Sequence, residues 1–237
     1  MLNWEREGDD VTGRVVFATW WGGGNVTPAR VIGSMLTAEG IEVSVVGQGD
    51  MAAHLGGLRY TPAPRDAIEW RDLLMDEAGG RPTGLVVDFT MPTVLSVAES
   101  LGWPFAALIH TLFQPYPDAT APFVGTFTTL DAINSERDAL GLGPIGSAAV
   151  LLDRASRLWV TTPPAVDRAA SAATPATASF IGPMIEPVEP WEPPAGNAPL
   201  GVISFGTTDM GEQEPMRGWG RWRLDPRGAD GLCSARS

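Results

Sequence analysis

The chain has 237 residues, of which 44% are hydrophobic, so it is long enough to bury one full core with a further fragment beside it. Its formal net charge of −12 argues against nucleic acid, or an anionic membrane surface, as the main partner. The single cysteine, Cys233, excludes an internal disulfide framework and a metal site built from cysteines, and we expect no metal ion in the site.

No apolar run of the sequence reaches the roughly 18 residues expected of a membrane span. The first ten residues, "MLNWEREGDD", are acidic and contain no apolar segment of the kind found in signal peptides. We therefore expect a soluble, cytoplasmic protein.

Apolar strands alternate with helices along most of the chain. The predicted strands are runs of apolar and β-branched residues that cover 14–20, 42–47, 57–63, 83–90, 104–111, 158–163 and 178–183. The predicted helices lie between them and cover 28–40, 65–80, 92–102, 130–142, 147–157 and 165–170. This alternation predicts an α/β fold with a Rossmann-like, doubly wound parallel sheet.

A glycine-rich turn, "WWGGGNVTP" at 20–28, joins the first strand to the first helix, which we expect to be capped by Thr27 with Pro28 at its first position. A dinucleotide-binding fingerprint would need glycine at Thr27 and an acidic residue near Gln48, and the chain has neither. The glycines on their own are also compatible with close packing of strand and helix and no further role.

The sequence divides into five segments. A tail at 1–11 precedes the predicted domain at 12–183, and a linker with many prolines follows at 184–199. Residues 200–216 are predicted to begin a second domain. Residues 217–237 lack any helical or strand period, so we expect them to be disordered, and their arginine, glycine and tryptophan content is compatible with out-of-frame translation.

A resemblance to a known family is carried by several stretches in a fixed order. They are "VVFATWWGGGNVTP", "EGIEVSVVG", "GLRYTPAP", "GLVVDFTMPTVLSVAESLGWPFAALIHT", "RLWVTTPPAVDR", "ASFIGP" and, after the linker, "PLGVISFGTT". Together they resemble the N-terminal half of a nucleotide-sugar-dependent glycosyltransferase of the GT-B fold. The type is that of the UDP-glycosyltransferase superfamily members that modify actinomycete natural products. The resemblance covers about residues 12–210.

The resemblance implies a division of labour. In this family the N-terminal domain binds an acceptor alcohol, and the C-terminal domain binds the nucleotide sugar. An acceptor oxygen displaces the nucleoside diphosphate with inversion and without a metal ion. It implies no cofactor, only a UDP- or TDP-sugar as co-substrate. Because the donor domain is missing here, we expect the chain alone to transfer no sugar.

Three residues are the catalytic candidates. Asn25 stands where the resemblance implies a basic residue in the glycine turn, but an amide can only orient a hydroxyl and cannot take its proton. Asp88 matches the acid that the family places behind that base. His110 ends the next strand at the same sheet edge, and imidazole is the side chain that exchanges protons near neutral pH. Asp88 and His110 are therefore the two candidates for the base. The alternative is that Asp88 only accepts hydrogen bonds from loop amides and that His110 is a partly buried residue that donates to a backbone carbonyl.

Aromatic residues of the same edge and of the following loop are predicted to line an apolar acceptor cleft. The predicted acceptor-binding residues are Trp20, Trp21, Gly24, Phe89, Phe113, Tyr116 and Phe123. The only donor-binding residues implied by the resemblance are in "SFGTT", namely Gly206, Thr207 and Thr208, where helix amides suit a pyrophosphate.

The expected function is transfer of a hexose to a hydroxyl of an apolar, natural-product-like acceptor. The alternative is a non-catalytic acceptor-binding or scaffold subunit, completed by a separate donor-domain chain. The expected partners are a small-molecule acceptor and, where a donor domain is supplied, a nucleotide sugar.

Overall fold

The computed structural model describes residues 13–22, 24–79, 82–113, 128–167 and 174–185. Its strands, in chain order, are β1 (Arg14–Trp20), β2 (Glu42–Gln48), β3 (Arg59–Pro62), β4 (Gly84–Asp88), β5 (Phe105–Ile109), β6 (Arg157–Val160) and β7 (Ala178–Phe180). Its helices are α1 (Val26–Ala38), α2 (Ala67–Ala78), α3 (Pro92–Ser100), α4 (Leu130–Ala139) and α5 (Val150–Asp153), with a 3₁₀ turn at Ala52–His54.

Within these ranges the seven strands form one parallel sheet in the order β3–β2–β1–β4–β5–β6–β7. The chain builds the sheet outwards from β1 in one direction and then, starting at β4, in the other. This is the strand order of a doubly wound Rossmann-like fold. The fold class predicted from the alternation of strands and helices is therefore confirmed.

Helices cover both faces of the sheet. Because the central strands are buried on both sides, their sequences are continuous apolar runs. β1 and β5 each contain five consecutive buried residues. Alternate side chains of β1 enter different layers: Phe17 packs in the layer that includes Ile32 of α1, and Val16 packs in the layer of Leu95 and Ile133 from α3 and α4. The edge strand β3 is half-buried or exposed along its whole length.

The start of α1 differs from the prediction. The helix begins at Val26 with Asn25 at its N-cap, so Thr27 is not the cap and Pro28 is the third helical residue. Proline is tolerated there because the first N–H groups of a helix have no intrahelical acceptor. Asn25 makes no side-chain cap bond because its amide is bound to other groups of the turn and the sheet.

The helix predicted over 147–157 is a single turn, Val150–Asp153. Sheet pairing limits its length, because the N–H of Ser156 already donates to the carbonyl of Phe105 at 2.9 Å and Arg157 begins β6. Of the short helix predicted over 165–170, the part that the structure describes forms a turn at 164–167.

The predicted tail at 1–11 and the predicted segments at 200–216 and 217–237 lie outside the described residues, as does most of the linker. The domain boundaries therefore stay predictions. None of the described helices has both the length and the apolar character that a membrane crossing requires.

Removing a core side chain of α3 tests the packing between the sheet and its helices. Leu95 is fully buried, so Leu95→Ala should lower the free energy of unfolding by about 2–5 kcal/mol. Met75 on α2 is 47% exposed, and Met75→Ala should change it by no more than about 0.5 kcal/mol. Urea titrations of both variants measure the difference, and equal losses would contradict the described packing.

Candidate active site

The candidate site lies at the carboxyl ends of β1, β4 and β5. The strand order reverses between β1 and β4, and ligands of open α/β sheets bind at such a switch point. Asn25 follows β1, Asp88 is the last residue of β4, and His110 follows β5 directly. Asp88 contacts both of the others, so the three side chains meet as predicted, and their catalytic roles stay predictions.

Asp88 is the centre of this cluster and is fully buried. Its Oδ1 accepts hydrogen bonds from the N–H of Thr90 at 3.0 Å and from the Thr90 hydroxyl at 2.7 Å. Its Oδ2 accepts from Thr19 Oγ1 at 3.2 Å and from Asn25 Nδ2 at 3.1 Å. Nε2 of His110 lies 3.3 Å from both oxygens. These contacts fill the lone pairs that a carboxylate offers.

The pKa of Asp88 is lowered in the fold. Burial, the largest influence, disfavours the charged carboxylate and raises the pKa. The positive charge of His110, together with hydrogen bonds from His110 and Thr90, favours the carboxylate, and these effects together outweigh burial. Asp88 therefore stays charged to a lower pH than a free carboxyl group does. A carboxylate with a lowered pKa is a weak proton acceptor.

Asn25 is buried, with 1% of its surface exposed, and all its donors are used. Its Nδ2 donates to the carbonyl of Trp20 at 2.6 Å and to Oδ2 of Asp88, and its Oδ1 accepts from the N–H of Gly22 at 3.1 Å. The amide thus ties the glycine turn to β4. Its predicted part in orienting an acceptor hydroxyl stays a prediction.

His110 is the member of the cluster that reaches the surface, with 14% of its side chain exposed against 0% for Asp88. Its ring meets the ring of Phe89 edge-on, with the ring centroids 5.2 Å apart. Since Nε2 faces Asp88, the other ring nitrogen, Nδ1, is the one that remains for an incoming group.

The two tryptophans of the glycine turn have different surroundings. Trp20 is half-buried, and its indole Nε1 donates to Thr90 Oγ1 at 2.8 Å. Trp21 is 43% exposed and stacks on His54, with the ring centroids 4.1 Å apart. Gly24 is exposed beside them. No local pattern in the sequence predicts that His54 lies at this edge, because it is far from Trp21 along the chain.

Phe89 and Phe113 are fully buried and pack in the core layer of α3 and α4. The N–H of Phe113 is held by Oδ1 of Asp167 at 2.7 Å. Because neither ring presents exposed surface, packing accounts for both, and their predicted contact with an acceptor stays a prediction. The other predicted binding residues lie outside the described residues: Tyr116, Phe123, Gly206, Thr207 and Thr208.

Sequence reasoning missed two hydroxyl residues of the site. Thr19 lies in β1 and Thr90 follows Asp88 by two positions, and both donate to its carboxylate. The pattern Asp-x-Thr at a strand end is a detectable signal, because a threonine two residues after an aspartate can close a local turn onto it. Thr19 has no comparable local signal, since its contact with Asp88 depends on strand pairing.

A shallow cavity of about 430 Å³ lies at the opposite, amino edge of the sheet, between the starts of β1, β2 and β4. Its charged lining residues, Arg14 and Glu42, pair with each other at 2.8 Å. Within the described ranges, no group of three or more His, Cys, Asp and Glu side chains is placed to hold a metal ion.

No protein-family model and no curated protein sequence matches this chain. Solved structures share its fold. The glycosyltransferase of kitacinnamycin superposes on 79% of this chain and 56% of its own, with a TM-score of 0.61 at 18% identity. The calicheamicin glycosyltransferase CalG4 superposes on 80% of this chain and 57% of its own, with a TM-score of 0.59 at 15% identity.

The chain therefore spans a little over half the length of these two glycosyltransferases. The resemblance stated from the sequence is confirmed at the level of the fold, which matches part of a GT-B glycosyltransferase. At identities below 20% the likeness concerns the fold, and the chemistry of the site must be argued from its own residues.

Asp88→Asn tests the charge at the centre of the site. Because the folded pKa of Asp88 is lowered below the unfolded value of about 3.9, the charge stabilises the fold above about pH 4, and this contribution is lost as the pH falls through the folded pKa. We expect Asp88→Asn to lower the free energy of unfolding at pH 7, and the deficit to shrink below about pH 4. Denaturant titrations between pH 7 and 3 measure it, with exposed Asp72→Asn as control. A deficit independent of pH would contradict the assignment.

Gly22→Ala tests the packing of the glycine turn. A Cβ at this position would overlap the ring of Trp20, with Cζ2 only 2.6 Å away, and that ring is held by its bond to Thr90. We expect a loss of about 1–3 kcal/mol in the free energy of unfolding, because the ring must move. Gly143→Ala is the matched control, since a Cβ there meets nothing within 4 Å. Thermal unfolding compares the two, and equal stability would refute the expected clash.

Proposed function

We propose that this domain is the acceptor-binding half of an inverting, nucleotide-sugar-dependent glycosyltransferase. It would act on a hydroxyl of an apolar, natural-product-like acceptor. The observation that carries the proposal is the pairing of His110 with the buried carboxylate of Asp88 at the switch point of this sheet. The fold shared with the kitacinnamycin and calicheamicin glycosyltransferases supports it.

In the proposed reaction the acceptor oxygen forms a bond to the anomeric carbon of the sugar. The bond from that carbon to the nucleoside diphosphate breaks, and the hydroxyl proton goes to a base of the protein. A hexose and a UDP- or TDP-sugar are the expected donor group and co-substrate, by resemblance. The proposal assigns no step to a metal ion or a cofactor.

We assign the base to His110 rather than to Asp88. A general base must come within hydrogen-bond distance of the proton that it takes, and Asp88 is fully buried behind the ring. The hydrogen bonds that Thr90 donates to Asp88 also favour its charged form and lower its pKa, which weakens its affinity for a proton. Asp88 is instead a positioning residue, which holds the imidazole and stabilises the imidazolium ion formed when the proton arrives.

Asn25 does not act on the acceptor in this proposal. Its two N–H groups are bound to Trp20 and Asp88, and the side chain is buried. It therefore links the glycine turn to the carboxylate of Asp88. The resemblance places the general base at the position of Asn25, and we assign that role to His110 instead.

The acceptor surface is proposed to begin at the exposed ring of Trp21, which stacks on His54, and to continue past Gly24 to His110. A flat aromatic ring offers apolar contact to an acceptor without a charge to desolvate. Gly206, Thr207 and Thr208 are proposed to approach the pyrophosphate of the donor, together with a donor-binding domain.

The test joins the chain after Thr208 to the donor-binding domain of a natural-product glycosyltransferase and measures sugar transfer to phenolic and macrolide alcohols. His110→Ala should lower kcat/KM about 100-fold or more, because the base is lost. Asp88→Asn should lower it substantially as well, because the ring is no longer held. The exposed variant Asp72→Asn should transfer at the unmodified rate.

Retention of full activity by His110→Ala would refute the assignment of the base. If Asp88→Asn abolished transfer while His110→Ala retained it, Asp88 would be the base instead. The unjoined chain is expected to transfer no sugar, since the resemblance places the nucleotide sugar on a second domain. Acceptor binding without any transfer by the joined protein would favour the non-catalytic binding subunit.

A further inference from the structure

The orientation of the Asn25 amide is fixed by the backbone. Its oxygen accepts from the N–H of Gly22 at 3.1 Å, and its nitrogen donates to the carbonyl of Trp20 at 2.6 Å. A backbone N–H cannot accept and a carbonyl cannot donate, so the amide cannot be reversed. Its second N–H is therefore directed at Oδ2 of Asp88, 3.1 Å away, with the more distant Thr19 Oγ1 beside it at 3.4 Å.

The direction of the Thr90 hydroxyl is fixed by Trp20. The indole nitrogen can only donate, so at 2.8 Å it obliges the oxygen of Thr90 to accept. The one hydroxyl proton of Thr90 is then available for Oδ1 of Asp88, at 2.7 Å. The N–H of Thr90 donates to the same oxygen at 3.0 Å.

Asp88 is thus surrounded by groups that are obliged to donate to it. The amide of Asn25 and the two donors of Thr90 already point their protons at its oxygens, and the hydroxyl of Thr19 lies 3.2 Å from Oδ2. A carboxylate accepts in all these directions, whereas a protonated carboxyl group would set its own proton against one of them. The nitrogen of His110 that faces this carboxylate must therefore be a donor too.

We propose that this set of donors fixes neutral His110 in the tautomer with its proton on Nε2, so that Nδ1 is the atom that takes the proton of the acceptor hydroxyl. The proposal rests on the proposed function and adds the identity of the reacting atom. Among the described residues Nδ1 has no hydrogen-bond partner, and the ring is the exposed part of the pair.

The proton balance of the step follows from this assignment. The O–H bond of the acceptor breaks and an N–H bond forms at Nδ1, while the proton on Nε2 stays between the ring and Asp88. The imidazolium ion is then paired with the carboxylate of Asp88, which carries no proton before or after the step. No group of the protein other than His110 changes its protonation in the step.

The tautomer can be measured directly by ¹⁵N NMR, because protonated and unprotonated ring nitrogens have well separated chemical shifts. The chain contains only two histidines, His54 and His110, so ¹⁵N-histidine labelling of the full chain gives two ring systems, and His54→Gln assigns them. For neutral His110 we expect an unprotonated Nδ1 and a directly detected proton on Nε2. Exposed His54 should show shifts averaged between the two tautomers.

Asp88→Leu removes the reason for the fixed tautomer, because an apolar side chain offers the ring no acceptor. We expect the proton signal on Nε2 to be lost and the protonated fraction of Nδ1 to rise. Asp72→Asn changes a carboxylate on the exposed side of α2 and should leave the spectrum of His110 unchanged.

Averaged shifts, or a protonated Nδ1, for neutral His110 in the unmodified chain would overturn the proposal, even if Asp88→Leu failed to fold. An unchanged His110 spectrum in folded Asp88→Leu would also overturn it, since Asp88 would then not set the tautomer. The measurement needs no sugar donor, so its failure is separate from that of the proposed function. A fixed tautomer together with full transfer by His110→Ala would refute the function and leave the tautomer assignment standing.

Discussion

The cost of burying the charge of Asp88 is the constraint on which the site depends. An isolated carboxylate in a protein interior costs several kcal/mol, and the fold offsets this with donors from four separate parts of the chain. Thr19 belongs to β1, Asn25 to the glycine turn, and Thr90 to the turn after β4, while His110 follows β5. Because these donors are held by different elements, β1, β4 and β5 must lie side by side before the charge is satisfied. Assembly of the site therefore depends on pairing in the centre of the sheet.

This constraint gives a physical reason for asparagine at position 25. The site needs a side chain that donates to Asp88 and at the same time holds the glycine turn through Gly22 and Trp20. A carboxylate there would set a second negative charge against Asp88, and an aliphatic residue would leave the turn unbound. An amide has donors and an acceptor on one rigid group. Asn25 stands where the sequence led us to expect a base, and its amide suits the neighbouring carboxylate of Asp88.

The sequence predicted the sheet and the meeting of three polar residues, because the carboxyl ends of parallel strands share one edge whatever the loops do. It did not predict which of them would be buried. The burial of each residue depends on the direction of its side chain at the strand end, which the turn after the strand decides. After β4, Thr90 donates a hydrogen bond back to Asp88, and Phe89 between them enters the core. The start of α1 was missed for a related reason, since the side chain of Asn25 is used outside the helix. Local patterns predict elements well, but contacts between distant residues, such as Trp21 with His54, have no local signal.

The position that we propose for the base has a consequence for where an acceptor would be held. β4 lies between β1 and β5 in the sheet, so Asp88 is flanked by the glycine turn on one side and by His110 on the other. In the family that the sequence resembles, the base is in the glycine turn. The proposed base after β5 would instead move the reacting hydroxyl to the far side of the carboxylate, by up to two strand spacings, or about 9–10 Å. An acceptor that reaches both Trp21 and His110 must then extend across the end of β4. Such a geometry favours a long or multi-ring alcohol over a compact one.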